Sequence, residues 1–426
     1  MKKNMTVWFT CGWFCLASHG ATYYADRSRP DDSGDGKTWA TAKRTLQAAV
    51  DLSLKGDTVL VAPGVYDEGL RVTPGGWLRN RVVITRDITL ASRDGAKATV
   101  ILGARDPADA TYQGCGSNAV RCVYMSLGAL KGFTLAGGAS GSENKEDLNN
   151  RGGGIYAPAM NGLPEISDCI ISNNAAIRGG GAYAGTLRRC RVIGNRAQKN
   201  GAGVRDSALH DSVVAYNDGS GASFCYAKSG WRDNGVFSCT VAFNTGPGLE
   251  HSSAFNTISV GNGSAFSGAV PENTFVNCCL SSAAPQGSNN IVSAYARFAD
   301  PAAAGDFRLL SNSPCLDAGN PAFPAGAPAA ADRTDCLGAP RVQGKGLDIG
   351  AVEGVVPDIA AVACDTPQGA GTFSPAGNLI LTALPTQLVF TAAAGAGAAL
   401  RHFTLDGEAL KKRGNTFTLN VARPGG

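Results

Sequence analysis

Tyr183, Arg205, Arg232 and Glu250 occupy one recurring place in the chain, each seven positions before a small residue at Cys190, Ser212, Cys239 or Thr257. Stacked coils of a β-solenoid repeat about every 4.8 Å, so such a set forms a surface stripe. An aromatic ring beside guanidinium groups can stack on a sugar and pair with carboxylates. Tyr156 extends the stripe, because it follows Gly-Gly-Gly-Ile as Tyr183 follows Gly-Gly-Gly-Ala. Two chemistries are open to these residues. One is binding of an acidic sugar chain. The other is eliminative cleavage, which needs a base for the proton beside a uronate carboxylate and a cation or Ca²⁺ to neutralise that carboxylate. In the eliminative version Arg205 or Arg232 is the clamp or base, and Tyr183 or Tyr156 is the stacking platform or acid. The plainer alternative is a solvated face with cross-coil pairs such as Arg232 with Glu250.

Other chemistries fit less well. Hydrolysis of a glycoside needs two carboxyl groups across the bond, whereas Asp168, Asp206, Asp211, Asp218, Asp233 and Glu250 fall at different places in the repeat. The chain has no Cys-x-x-Cys pair and its four histidines are scattered, a pattern that does not suit a zinc site. Asp31, Ser33 and Asp35 before Gly36 imitate the first half of a calcium loop, but the twelfth position is Ala42. They read as a structural turn. No metal site or other cofactor is expected, Ca²⁺ being the one cation the eliminative chemistry would call on. Lys131, at the start of a strand, is a base only by analogy. Arg188, Arg189, Arg191 and Arg196 form a local basic patch that reads as surface solvation.

The elements that position the stripe come from an internal repeat. Cys169, Cys190, Ser212, Cys239 and Thr257 are each followed five positions later by Asn174, Asn195, Asn217, Asn244 or Asn262. Apolar or small residues recur three before and two after each small residue, as in Ile166 and Ile171 or Leu187 and Val192. One β coil per repeat, buried only by stacking on the next, follows from this period. The asparagines predict an inward-turned ladder of side-chain amides, and the cysteine column reads as packing. Glycine pairs at Gly179 and Gly181, Gly201 and Gly203, and Gly246 and Gly248 recur at one corner, where positive φ or tight chain passage is needed. Residues 43–54 place Leu46, Ala49, Val50 and Leu54 on one helical face, as a cap over the first coil would. Strands are expected within 57–66, 81–92, 99–103 and 130–138. The inserts 104–122 and 140–151 interrupt the stack and would gather on one face.

Composition agrees with this architecture. Of 426 residues 56 are glycine, with no collagen triplet, and 44% are apolar, so a turn-rich all-β chain with a packed core is expected. Lys2 and Lys3 precede an apolar run from Met5 to Ala17, the pattern of a signal peptide over residues 1–20. That run is too short to span a bilayer. Without those two lysines, 36 basic residues face 34 acidic ones, a balance that predicts no nucleic-acid partner. Eleven cysteines remain after Cys11 and Cys15, an odd number, so a disulfide framework is not the main stabiliser. Cys115 with Cys122, and Cys315 with Cys336, are the candidate local bridges.

DDSGDGKTWATAKRTLQAAV followed by KGDTVLVAPGVYDEG resembles the amino-terminal region of secreted right-handed parallel β-helix proteins of the pectin-lyase-like superfamily. DFRLLSNSPCLDAG with DRTDCLGAPRVQGKGLDIGAVE resembles the closing segment of bacterial choice-of-anchor Q proteins, in which Asp332, Asp335 and Asp348 match structural positions. GGGIY and GGGAY are similar in part to repeats of polymorphic outer-membrane adhesins. The resemblance implies a right-handed parallel β-helix over 21–356, with the closing segment at 298–356. Residues 357–426 resemble the opening strands of an immunoglobulin- or PKD-like β-sandwich, too short to complete one, as a truncated module would be. A monomeric, exported or surface-bound bacterial protein that binds an extracellular polysaccharide is the expectation. A polysaccharide lyase and a surface adhesin or spacer are the alternatives.

Overall fold

A computed structural model describes residues 20–109, 114–141, 147–158, 164–225, 235–268, 274–284, 286–301, 305–322, 333–354 and the strands between 361 and 421. Among them, three long sheets run along the stack, with eleven, ten and nine strands. The chain visits them in rotation. Glu165–Ser167 lies in sheet one, Ile170–Ser172 in sheet two and Ala182–Tyr183 in sheet three, and Thr186–Arg188 then returns to sheet one beside Glu165–Ser167. Every pairing within these coils is parallel apart from the hairpin of Arg71–Val72 with Arg79–Ile84 in sheet three. Parallel crossovers are right-handed almost without exception, and the chain is a right-handed parallel β-helix.

The apolar columns are stacked in register. Ile166, Leu187, Leu209, Val236, Ala254 and Phe275 pair in succession in sheet one. Ile171, Val192, Val214, Val241, Ser259 and Leu280 do so in sheet two. Nearly all are fully buried. Each coil bends at residues in the left-handed region. Asp168, Arg189, Asp211, Ser238, Asn256 and Asn277 hold φ of 48–55° after sheet one. Ala184, Asp206, Phe224 and His251 hold φ of 45–61° after sheet three. The conformation costs a non-glycine residue about 1–2 kcal/mol, and the hydrogen-bond ladder runs through it unbroken. Arg189 N, for example, donates to His210 O at 3.1 Å and Asp211 N to Phe237 O at 3.0 Å.

The asparagines line the corner after sheet two. Asn195 Oδ1 accepts from the backbone N and the Nδ2 of Asn174, Asn217 Oδ1 from those of Asn195, and Asn244 Oδ1 from those of Asn217, all between 2.9 and 3.1 Å. Asn262 receives Asn244 in the same way. The glycine column divides its labour. Gly179 and Gly201 carry φ of 67° and 68°, whereas Gly181 and Gly203 admit no side chain because a Cβ would stand 2.6 Å from Gly203 O and 2.4 Å from Gly221 O, with the ladder amides beside it. The cysteine column is buried packing, and Ser212 or Thr257 substitutes for the thiol while accepting from the N–H of Cys190 or Cys239.

The cap helix is Leu46–Leu52, started by Thr45, whose hydroxyl accepts from Ala48 N. Leu46, Ala49 and Val50 are buried, but Leu54 is exposed. Ser53 ends the helix in extended conformation by bonding back to Val50 O, and this turns Leu54 off the apolar face.

The described residues after the stack, 298–301, 305–322 and 333–354, do not continue it but fold back along the outside of sheet two. Phe307, Leu309, Cys315, Ile349, Ala351 and Val352 cover the outward side chains of Val213, Ala215, Ala242, Ile258, Val260 and Cys279. Arg333 pairs with buried Asp211, and fully buried Arg341 lies 3.6 Å from Asp211 and 3.4 Å from Glu353. Asp335 and Asp348 accept backbone N–H groups within this segment. Asp332 lies outside the described residues.

Neither local cysteine bridge forms. Cys122 lies inside the stack while Cys115 packs under the first insert with Leu78 and Ala119. Cys315 and Cys336 are free thiols, and Cys336 donates to Cys190 O at 3.8 Å. Asp31 and Asp35 accept from Ser33 N and Lys37 N in short turns. Beyond 360, Gly371–Ser374, Thr386–Ala394 and Thr416–Val421 form an antiparallel sheet, with two further antiparallel pairs. Among the described residues no helix is long and apolar enough to cross a membrane. Residues 1–19, which carry the expected signal peptide, lie outside those described.

Candidate functional site on the third sheet

Sheet three presents one outward column along the coils: Tyr124, Tyr156, Tyr183, Arg205, Ser223, Glu250 and Ser267. Tyr156, Tyr183, Arg205 and Glu250 therefore share a row as their spacing implied. Arg232 lies outside the described residues, and the place assigned to it between Arg205 and Glu250 belongs to Ser223. Counting back seven from Cys239 fails because the surplus of this long coil falls between Cys225 and Gly235, after the sheet-three strand. The signal that locates the column is Gly-x-X: Gly181-Ala182-Tyr183, Gly203-Val204-Arg205, Gly221-Ala222-Ser223 and Gly248-Leu249-Glu250. Each glycine must pass over the asparagine ladder, so the residue two further on faces outward.

At the amino-terminal end the column is aromatic. Tyr124, Tyr156 and Tyr183 meet edge to face, with centroids 5.6 Å apart at each step. Residues 147–151, the described end of the insert 140–151, partly cover them. Leu148 packs against the rings, and Arg151 lies over Tyr183 at 5.0 Å while its Nη1 donates to Tyr156 Oη at 3.3 Å. Buried Arg121 lies on Tyr156 and is satisfied by Asn80, Thr73 and the carbonyls of Leu148, Arg151 and Gly152. Tyr124 and Tyr156 are thereby buried, and Tyr183 is the first ring that solvent reaches.

The centre of the column is charged. Arg205 lies 4.3 Å from the Phe224 ring centroid and 5.9 Å from that of Tyr183, donates to Asn200 Oδ1, and pairs with Asp206 at 3.5 Å. Burial and then the Asp206 charge, to which the phenol hydrogen-bonds, push the Tyr183 hydroxyl up to about 12. Phe224 stacks on His251 at 4.8 Å. Glu250 Oε2 accepts from Ser220 and Ser223 hydroxyls at 2.8 and 2.7 Å. Tyr183, Arg205, Asp206, Phe224, Glu250 and His251 are all half-buried. They offer a ring, a guanidinium edge and hydrogen-bonding oxygens to an extended ligand. Sequence spacing missed Asp206, Phe224 and His251, because they sit at left-handed corners rather than in strands.

Arg205 is a permanent cation with no acceptor and cannot take a proton as a base. Tyr183 keeps its proton through the neutral range. Lys131 stands exposed on sheet one, paired with Ala91 and Ser167, on another flank. Arg189 is committed to Asp168 in a two-point pair at 2.7 and 3.0 Å, Arg191 to Gly305 O and Arg196 to Asp218. Among the described residues no group of three or more His, Cys, Asp or Glu side chains could hold a metal ion.

No family model matches the chain, and no curated protein matches it. Solved structures do. Pectate lyase Pel9A aligns over 79% of this chain and 97% of its own, at 14% identity and a TM-score of 0.49. A rhamnogalacturonan lyase aligns over 61% and 68%, at 14% identity and a TM-score of 0.36. The A-module of mannuronan C-5 epimerase AlgE6 from Azotobacter vinelandii aligns over 62% and 79%, at 15% identity and 0.30. These are likenesses of fold.

Proposed function

We propose that the chain is an exported protein that binds an extended acidic polysaccharide along sheet three, without cleaving it. The observation that carries the reading is the half-buried pair of Tyr183 and Arg205 on adjacent coils, a sugar-stacking ring beside a carboxylate-pairing guanidinium. Phe307, Leu309, Ile349 and Val352 cover outward residues of sheet two, whereas Tyr183 and Arg205 pair side by side on sheet three. Binding is preferred to elimination because Arg205 cannot serve as the base and is already tied to Asn200 and Asp206. A cavity of about 280 Å³ lined by Arg191, Val213, Phe307 and Val352 lies between sheet two and the covering segment, away from the row. The amino-terminal lysines and apolar run support export.

The test is retention of the full chain on immobilised polygalacturonate, alginate and neutral glucans, with unsaturated uronate followed by its ultraviolet absorbance with and without Ca²⁺. The expected result is retention by an acidic polymer, weakened at least tenfold by Arg205→Ala and by Tyr183→Ala, with no new absorbance. New unsaturated ends, lost in Arg205→Ala, would replace binding by lyase chemistry. Absence of retention on every polymer, or equal retention of both variants, would remove the reading.

A further inference from the structure

We propose that Cys279 and Cys315 form a disulfide that fastens the segment covering sheet two to the late coils of the stack. Cys278 and Cys279 are neighbours in sequence, yet strand alternation sends them to opposite sides of the sheet wall. Cys278 is buried inside the stack, its thiol donating to Val276 O at 3.4 Å. Cys279 faces outward, in a row with Thr240 and Ile258, and is buried under the covering segment in the same apolar cluster as Cys315, Ile349 and Ala351. Its thiol and that of Cys315 hydrogen-bond to each other.

The backbone on both sides is fixed. Cys279 N donates to Thr257 O at 3.0 Å, Ile349 N to Cys315 O at 2.9 Å, and Cys315 N to Ser313 Oγ at 3.2 Å. A few residues from this pair, Gly350 N bonds to Asn256 O and Ala351 N to Thr240 Oγ1. The two thiols thus face each other at the interface that holds the covering segment in place.

Closure is a two-electron oxidation. One thiolate attacks a small-molecule or protein disulfide, breaks its S–S bond, releases one half as a thiol and forms a mixed disulfide with the other half. The second thiolate displaces that partner as a thiol, so two protons leave the cysteines and the oxidant is reduced. Both sulfurs are buried once the segment docks, so exchange belongs to docking, and the finished bond is shielded from reductants. The residues are 36 apart in sequence, and constraint of the unfolded chain grows with the loop that is closed.

The test uses the unaltered full chain, folded in a buffer of reduced and oxidised glutathione, alkylated in denaturant and mapped by tandem mass spectrometry. A peptide pair linked at Cys279 and Cys315, lighter by two hydrogens and lost on reduction, is the expected result. The link should survive Cys278→Ser and vanish in Cys279→Ser. Full alkylation of both residues in the folded, oxidised chain would overturn the proposal, and so would linkage of either one to Cys278 or Cys336. The readout is independent of any glycan, so it stands or fails apart from the binding function.

Discussion

Asn217→Ala tests the central device of the stack. Asn217 makes four side-chain hydrogen bonds: Nδ2 donates to Val192 O at 3.1 Å and to Asn244 Oδ1 at 2.9 Å, while Oδ1 accepts from Asn195 N at 2.9 Å and Asn195 Nδ2 at 3.1 Å. The residue is fully buried, so water cannot replace them. At about 1 kcal/mol net per bond the loss is about 4 kcal/mol, and Asn195 N–H is left without its acceptor. Asn262 has an equivalent set but is half-buried, so water takes over part of it and about 1–2 kcal/mol is expected. Urea unfolding of the two alanine variants, read as a midpoint shift at unchanged slope, compares them directly. A loss below about 1 kcal/mol at Asn217, or equal losses at both sites, would refute the view that the buried ladder holds neighbouring coils together.

Two further variants probe corner and charge. Gly203→Ala places a Cβ 2.4 Å from Gly221 O and 2.6 Å from Val214 Cγ1, so a cost of about 1–3 kcal/mol or more is expected. Gly194→Ala meets open space at φ 67° and should cost only about 1–2 kcal/mol; the same urea titrations would show a reversed order if the tight passage were unimportant. His210, buried and stacked on Phe237, is held down to about 3 by burial and then by Arg188 and Arg333. Its folded value lies below its unfolded value near 6.5, so the stability it contributes is present above pH 6.5 and lost as pH falls towards 3, by about 2 kcal/mol at pH 5. Glu353 works the other way: burial raises it from 4.5 to about 8, so its contribution is full below 4.5 and declines as pH rises through 8. Comparison of the unaltered protein with His210→Phe at pH 5 and pH 7.5 cancels the Glu353 effect. The variant should lose about 2 kcal/mol less on acidification, and identical pH profiles would exclude a neutral buried imidazole.

Sequence alone carried the repeat to the level of individual columns, because stacking neighbours at a fixed period leaves the same demand at the same place in every coil. The interior rows from Ile166 to Phe275, the asparagine ladder and the crowded glycines were all legible for that reason. The cap helix was legible from Leu46, Ala49 and Val50, though not its stop at Ser53, which depends on a local bond back to Val50 O. The row shared by Tyr156, Tyr183, Arg205 and Glu250 was legible as well. Its fifth member was not, because residue counting cannot tell on which side of a strand a long coil stores its extra residues. Only pairing of Ala222–Ser223 between Val204–Arg205 and Pro247–Glu250 puts Ser223 there.

What the sequence determined by itself is the coil, its period and its inner face, since those follow from local pattern and nearest-neighbour stacking. Tertiary structure decided everything that joins distant parts of the chain. It laid the described residues between 298 and 354 along sheet two through the buried pairing of Asp211 with Arg333, and brought Arg151 over Tyr183 from an insert. It also set Cys279 against Cys315 where proximity in sequence pointed to Cys336. None of these contacts repeats with the coil, so no periodicity announces them. They arise from burial of a flank whose outward residues, Val213, Ala242 and Ile258 among them, are apolar and must be covered.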